Sequence, residues 1–114
     1  MSADQVAEIA PAIRESIAGG DRLCATFTIS GDESRWVQFM GNVVNAAYPY
    51  TAEPTALIAR LGSGVIESYD SEQYVTVRLP TRDVYAIARW IDAYFQQVLR
   101  AGDDYSIDCS LERL

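Results

Sequence analysis

The sequence contains no histidine. That absence removes serine–histidine–aspartate and cysteine–histidine nucleophilic systems, histidine general bases and histidine-built zinc sites. Cysteine is scarce as well: Cys24 and Cys109 stand alone, and two thiols make no zinc site by themselves. Both lie in strand-like stretches and read as small apolar residues of a reducing compartment. They can pair only if their strands are neighbours. Positive charge is in deficit, with nine Lys and Arg against sixteen Asp and Glu, a net charge of −7. Such a surface repels phosphate backbones and anionic lipid, so no nucleic acid and no membrane is expected as a partner. A basic protein would instead be steered toward it. Long apolar runs are missing too, since nothing approaches the ~18 residues of a membrane span. The start, Met1 to Gln5, lacks the basic-then-apolar pattern of a secretory signal. A cytoplasmic protein is the expectation.

Motifs for bound groups are also wanting. Gly62-Ser63-Gly64 has neither the lysine nor the following long helix of a phosphate-binding loop. Asp70-Ser71-Glu72 lacks the spaced oxygen ligands and central glycine of a calcium loop. These carboxylates, with Asp32-Glu33 and Asp103-Asp104, read as solvated turns. A hydrolase built from them would need two carboxylates converging in a cleft, one with a raised pKa. No catalytic residue, no cofactor and no metal site is therefore expected, and the chain reads as a non-enzyme.

What the chain does hold is a well-patterned core. Its 114 residues, 49% of them hydrophobic, suit a single domain over 1–114. The clearest segment is Thr81 to Ala101, where a helical wheel gathers Val84, Ile87, Ala88, Ile91, Tyr94, Phe95, Val98 and Leu99 on one side. Arg89, Asp92, Gln96 and Arg100 fall on the other. So wide an apolar arc must lie across something large, most simply a sheet. Trp90 and Tyr94 sit toward its margin.

Ala3 to Ala18 is a second amphipathic helix, with Val6, Ile9, Ala10, Ile13 and Ile17 on one face. Ser2 with Gln5 fits a capping box, Pro11 either kinks the helix or marks its regular start, and Gly19-Gly20 ends it. Alternation then predicts strands over Arg22–Ile29, Arg35–Met40 and Val43–Tyr48, joined by short turns as in an antiparallel meander. Leu23, Ala25, Phe27 and Ile29 face one way and Cys24, Thr26 and Thr28 the other; Trp36, Gln38 and Met40 oppose Val37 and Phe39. Thr51 to Leu61 reads as a short helix capped by Thr51, with Ala56, Leu57, Ala59 and Leu61 as its apolar contribution. Val65–Tyr69 and Gln73–Leu79 make another strand pair, and Tyr105 to Leu111 a last, edge strand. The order α-β-β-β-α-β-β-α-β implies an α+β fold: an antiparallel sheet of about five to six strands with helices on one face or at its ends.

Aromatic residues exceed what such a core needs. Trp36, Tyr74, Tyr85, Trp90 and Tyr94 are the candidate contact residues, because Tyr and Trp give large contact areas with a polar tip. Tyr85 falls on the polar side of its helix and Tyr74 on the outer face of its strand.

Trp36-Val37-Gln38 at a strand start, Leu57-Ile58-Ala59-Arg60-Leu61-Gly62 at the end of the middle helix, and the closing amphipathic helix Ala86 to Leu99 carry a resemblance. Over Ala3 to Ala101 the order of elements resembles the fold of type III secretion chaperones and YbjN-like proteins, including the stand-alone bacterial domains called TY-Chap. The resemblance implies a small non-enzymatic domain, often dimeric, that binds another polypeptide, a client or secreted substrate, through its sheet or helix surface. A different class fits the acidic, histidine-free, tyrosine-bearing composition: an immunity protein that blocks the active site of a cognate basic toxin.

Overall fold

The computed structural model describes residues 3–102 and 104–114. The elements run α1 (Ala3–Ala18), β1 (Leu23–Ile29), β2 (Asp32–Met40), β3 (Val43–Ala47), α2 (Thr55–Arg60), β4 (Val65–Asp70), β5 (Tyr74–Arg78), α3 (Val84–Ala93) and β6 (Ile107–Arg113), with a π-helical turn, Tyr94–Val98, continuing α3. The α+β order expected from the sequence is the order observed. Six strands form one antiparallel sheet in the order β4-β5-β3-β2-β1-β6. The tail is thus an edge strand, as its position suggested, and pairs along the whole of β1.

The period of two in the strands decides which face is covered. Ala25, Phe27, Val37, Phe39, Val44, Ala46, Val75 and Val77 are fully buried, and the register stacks them on one face. Against that face lie Ile9 and Ile13 of α1, Ile87 and Ile91 of α3, and Phe95 beyond it, all inaccessible to solvent. Burying one such side chain contributes about 1.5–3 kcal/mol, so the two helices and this face form one cooperative core.

The ends of the elements differ from the sequence pattern in instructive ways. The long helix begins at Val84 rather than Thr81, because the Asp83 side chain accepts a hydrogen bond from the Ala86 amide and caps the first turn. Its α-helical part stops at Ala93. The next turn widens, with the Leu99 amide donating to the Tyr94 carbonyl at 3.1 Å. Arg100 then takes φ 57°, and the Ala101 amide donates back to the Phe95 carbonyl. Pro11 sits inside a continuous α1, on its solvent side, where the unpartnered carbonyl it creates can be hydrated. The Ser2 cap proposed for this helix lies outside the described residues. In the middle, α2 starts at Thr55, not Thr51, and has no side-chain cap. Ile58 is the side chain it buries fully; of the four apolar residues expected, Leu57 and Leu61 pack half-buried against the core while Ala56 and Ala59 are exposed.

The cysteines are both free. Their strands are neighbours, yet Cys24 registers with Glu112 while Cys109 registers with Phe27. The two thiols therefore point to opposite faces of the sheet and cannot bridge. Among the described residues no helix is long and apolar enough to cross a membrane.

Candidate functional site

The same alternation that fills the core leaves the other face of the sheet without a covering layer. Its side chains stand in rows that cross the strands. Ser110, Thr26, Gln38, Asn45, Thr76 and Ser68 register in one line over all six strands, each carrying a hydroxyl or an amide. Within this row Thr76 donates to the Asn45 side-chain oxygen at 2.9 Å, and Gln38 donates to the Thr26 hydroxyl at 3.4 Å. On one side runs a second row: Asp108, Thr28 and Trp36 from β6 to β2, then Ala47, Tyr74 and Asp70 from β3 to β4. On the other side lie Met40, Val43, Arg78 and Val65. The surface is a neutral polar stripe between an aromatic row and an apolar one.

Three concavities open on this face. One of about 870 Å³ is floored by Thr26, Thr28 and Gln38 and walled by Trp36, Asp32, Glu33 and Asp108. A second, about 540 Å³, lies on the far side of Trp36 against Ala47, Tyr48 and Pro49. A third, about 410 Å³, gathers Cys24, Met40, Val43, Asn45 and Leu114. Trp36 borders the first two and Gln38 the first and third.

The Trp36 end of the face is anchored to the helix layer. Arg35 donates from Nε to Asp32 at 2.7 Å and from Nη1 to the Leu99 carbonyl at 3.0 Å. The widened turn after α3 frees carbonyls that side chains then take up, that of Leu99 by Arg35 and that of Val98 by the Tyr50 hydroxyl. A guanidinium at a helix C-terminus also meets the negative end of the helix dipole. Asp32 is held below its usual carboxylate range, first by the Ser34 hydroxyl, which donates to it at 2.5 Å, and next by Arg35. That direction is the reverse of what a general acid requires.

The five candidate contact residues are dispersed by the fold. Trp36 and Tyr74 lie on the uncovered face, half-buried, on either side of Ala47. Tyr85 is 49% exposed, but on the outside of the helix layer, where the Arg14 guanidinium lies 5.8 Å from its ring. Trp90 and Tyr94 are not marginal at all. They are 5% and 0% exposed, stacked with ring centroids 5.7 Å apart. The Trp90 indole donates to the Ser63 carbonyl at 2.8 Å and the Tyr94 hydroxyl to the Ala47 carbonyl at 2.7 Å. Their polar tips are spent on backbone carbonyls inside the domain, one at the end of β3 and one in the loop before β4, which places both in the core rather than on a contact surface.

A second polar cluster is internal. Asp92, expected on the solvent side of the long helix, is fully buried. It accepts hydrogen bonds from the Tyr105 hydroxyl at 2.6 Å and from the Gln96 amide at 3.0 Å. Gln5 of α1 donates to the Tyr105 carbonyl from the other side. The wheel placed Asp92 correctly relative to its neighbours but could not show that α1 and the Tyr105 segment cover that side. Part of the polar row on the sheet, by contrast, was visible as outward positions, such as Thr26 in β1 and Gln38 in β2; Asn45 and Ser68, and the lining up of the row, required the strand order. Among the described residues no group of three or more metal-ligating side chains is gathered. No protein-family model, no curated protein and no solved structure matches the chain.

Proposed function

We propose that this chain is a non-enzymatic protein-binding module that engages another polypeptide through the uncovered face of its sheet. The observation that carries this reading is the face itself. Six strands present a continuous stripe of hydroxyl and amide groups, flanked by Trp36 and Tyr74 and by Met40 and Val43, with none of the described elements laid over them. Half-buried Trp and Tyr beside neutral hydrogen-bonding groups are the side chains that recognition surfaces favour. The chemistry needed for catalysis is poorly supplied: histidine is absent from the chain, and Asp32, in the concavity beside Trp36, has its proton affinity lowered. The resemblance to secretion-chaperone-like and YbjN-like domains supports the same reading and suggests a cytoplasmic role, with a client polypeptide as partner and a dimer as the assembled form. The carboxylates Asp32, Glu33 and Asp108 around the concavity favour a second version, an immunity protein that holds a folded basic toxin.

The test compares the wild-type chain with Thr26→Arg/Gln38→Arg, which fills the polar row without touching the core. Both are tagged and recovered from the native host, with their folding checked by circular dichroism. Partners that co-purify with the wild type and are lost with the folded double variant support the reading. Partners retained by the variant, or turnover of a small metabolite by the pure protein, contradict it.

A further inference from the structure

Building on the protein-binding reading, we infer that the occupant of the uncovered face is a basic, arginine-bearing polypeptide segment, one guanidinium of which seats in the concavity between Trp36 and Asp108. The residues of this corner are complementary to that group and to little else. Asp108, Thr28 and Trp36 occupy one cross-strand row on three adjacent strands. At ~4.8 Å per strand step, the backbone positions of Asp108 and Trp36 are set ~10 Å apart on either side of the short Thr28 side chain. That gap is wide enough for a flat cation and is open to solvent at the top. The indole offers a face for stacking and Asp108 offers a carboxylate, the two partners that a planar guanidinium satisfies together and a compact ammonium does not.

Charge points the same way. Glu33 and Asp32 complete the wall of the concavity, and Glu112 stands further along β6 opposite Cys24. The arginines nearest this face are already committed: Arg35, which reaches to the helix layer, to Asp32 at 2.7 Å, and Arg78 to Glu67 at 2.7 Å. Neither pairs with Asp108, whose carboxylate accepts a hydrogen bond from the neutral Ser30 hydroxyl at 3.1 Å, so a cationic complement has to come from outside. Beside this corner the Ser110-Thr26-Gln38-Asn45-Thr76-Ser68 row supplies donors and acceptors suited to the peptide groups that follow an arginine along a chain.

The proposal is tested by titrating the isotopically labelled protein with end-blocked nona-arginine, and with nona-lysine as the control of equal charge, while following amide and indole resonances. The expected result is saturable shifts at the Trp36 indole and the Thr26, Thr28, Gln38 and Asp108 amides. The Trp90 indole, bound inside the domain to the Ser63 carbonyl, should stay still. Nona-arginine should bind at least about fivefold more tightly than nona-lysine, and Asp108→Asn or Trp36→Leu should remove most of that preference. Asp108 is exposed on an edge strand, so its substitution leaves the fold intact even if Trp36→Leu does not. Equal affinity for the two peptides overturns the proposal. So do shifts centred on the helix layer around Tyr85 and Arg89, or concentration-dependent shifts of the same face without peptide, which would make a second copy the occupant. If such a result comes with loss of native partners on Thr26→Arg/Gln38→Arg, only the arginine assignment falls; if partners are retained as well, the binding face falls with it.

Discussion

Asp92 is the residue whose burial is most expensive to arrange. A carboxylate removed from water must find donors, and here it finds the Tyr105 hydroxyl and the Gln96 amide rather than a cation. Removing the first should cost about 2 kcal/mol, the scale of a hydrogen bond to a charged group. Tyr105→Phe is thus expected to lower the urea midpoint by a corresponding amount, whereas Gln96→Ala, at a partly exposed position, should cost less. Burial also sets the alkaline limit. It raises the pKa of the Tyr94 and Tyr105 hydroxyls well above the ordinary tyrosine value, with the Asp92 hydrogen bond adding to the effect at Tyr105. A group whose folded pKa exceeds its unfolded one of ~10 contributes its full stability below that pH and loses it as the pH climbs further. The last part of the rise in absorbance at 295 nm, which comes from these buried hydroxyls, should therefore coincide with the loss of circular dichroism above pH ~10. Full ionisation of all seven tyrosines with the dichroism unchanged would show that these hydroxyls are not sealed in the core.

At the scale of elements, the end of the long helix holds one strained residue. Arg100 occupies the left-handed position that glycine fills more easily, at φ 57°. Because its backbone carbonyl, not its side chain, makes the contact with Arg35, Arg100→Gly is expected to raise stability by about 0.5–1 kcal/mol. Gly64, ahead of β4, shows the reverse. Its φ is 117°, and a Cβ there would stand 2.7 Å from Val77 Cγ1, so Gly64→Ala should destabilise measurably in the same denaturation assay. Trp90 belongs with the core. Trp90→Ala is expected to cost about 3–5 kcal/mol, while Trp36→Ala on the uncovered face should cost much less. The sequence made the core side of α3 legible, since Ile87, Ile91, Phe95 and Val98 follow the helical period. It did not separate margin from centre, because the turn at Tyr94–Val98 departs from that period and brings Tyr94 fully inward. Strand faces were legible throughout, as local alternation determines them. The caps at Asp83 and the start of α2 were not, since several polar residues compete for each end.

For the whole molecule, one face of the sheet is sealed by α1 and α3 and the other is left open. Alternation alone announced two faces, but only the order β4-β5-β3-β2-β1-β6 joins Thr26, Gln38, Asn45 and Thr76 into a stripe and sets Asp108 in the same row as Trp36. The pairings of β3 with β5 and of β1 with β6 lie far apart in sequence, which is why the candidate contact residues were named by type and only two of the five, Trp36 and Tyr74, fall on the open face. The central claim is that this face, and not the helix layer, meets a partner. Site-specific photo-crosslinking in the native host tests it most directly, with a photoreactive residue placed at Gln38 in one strain and at Tyr85 in another. A discrete crosslinked species is expected from Gln38 and none from Tyr85. A crosslink from Tyr85 alone would contradict it.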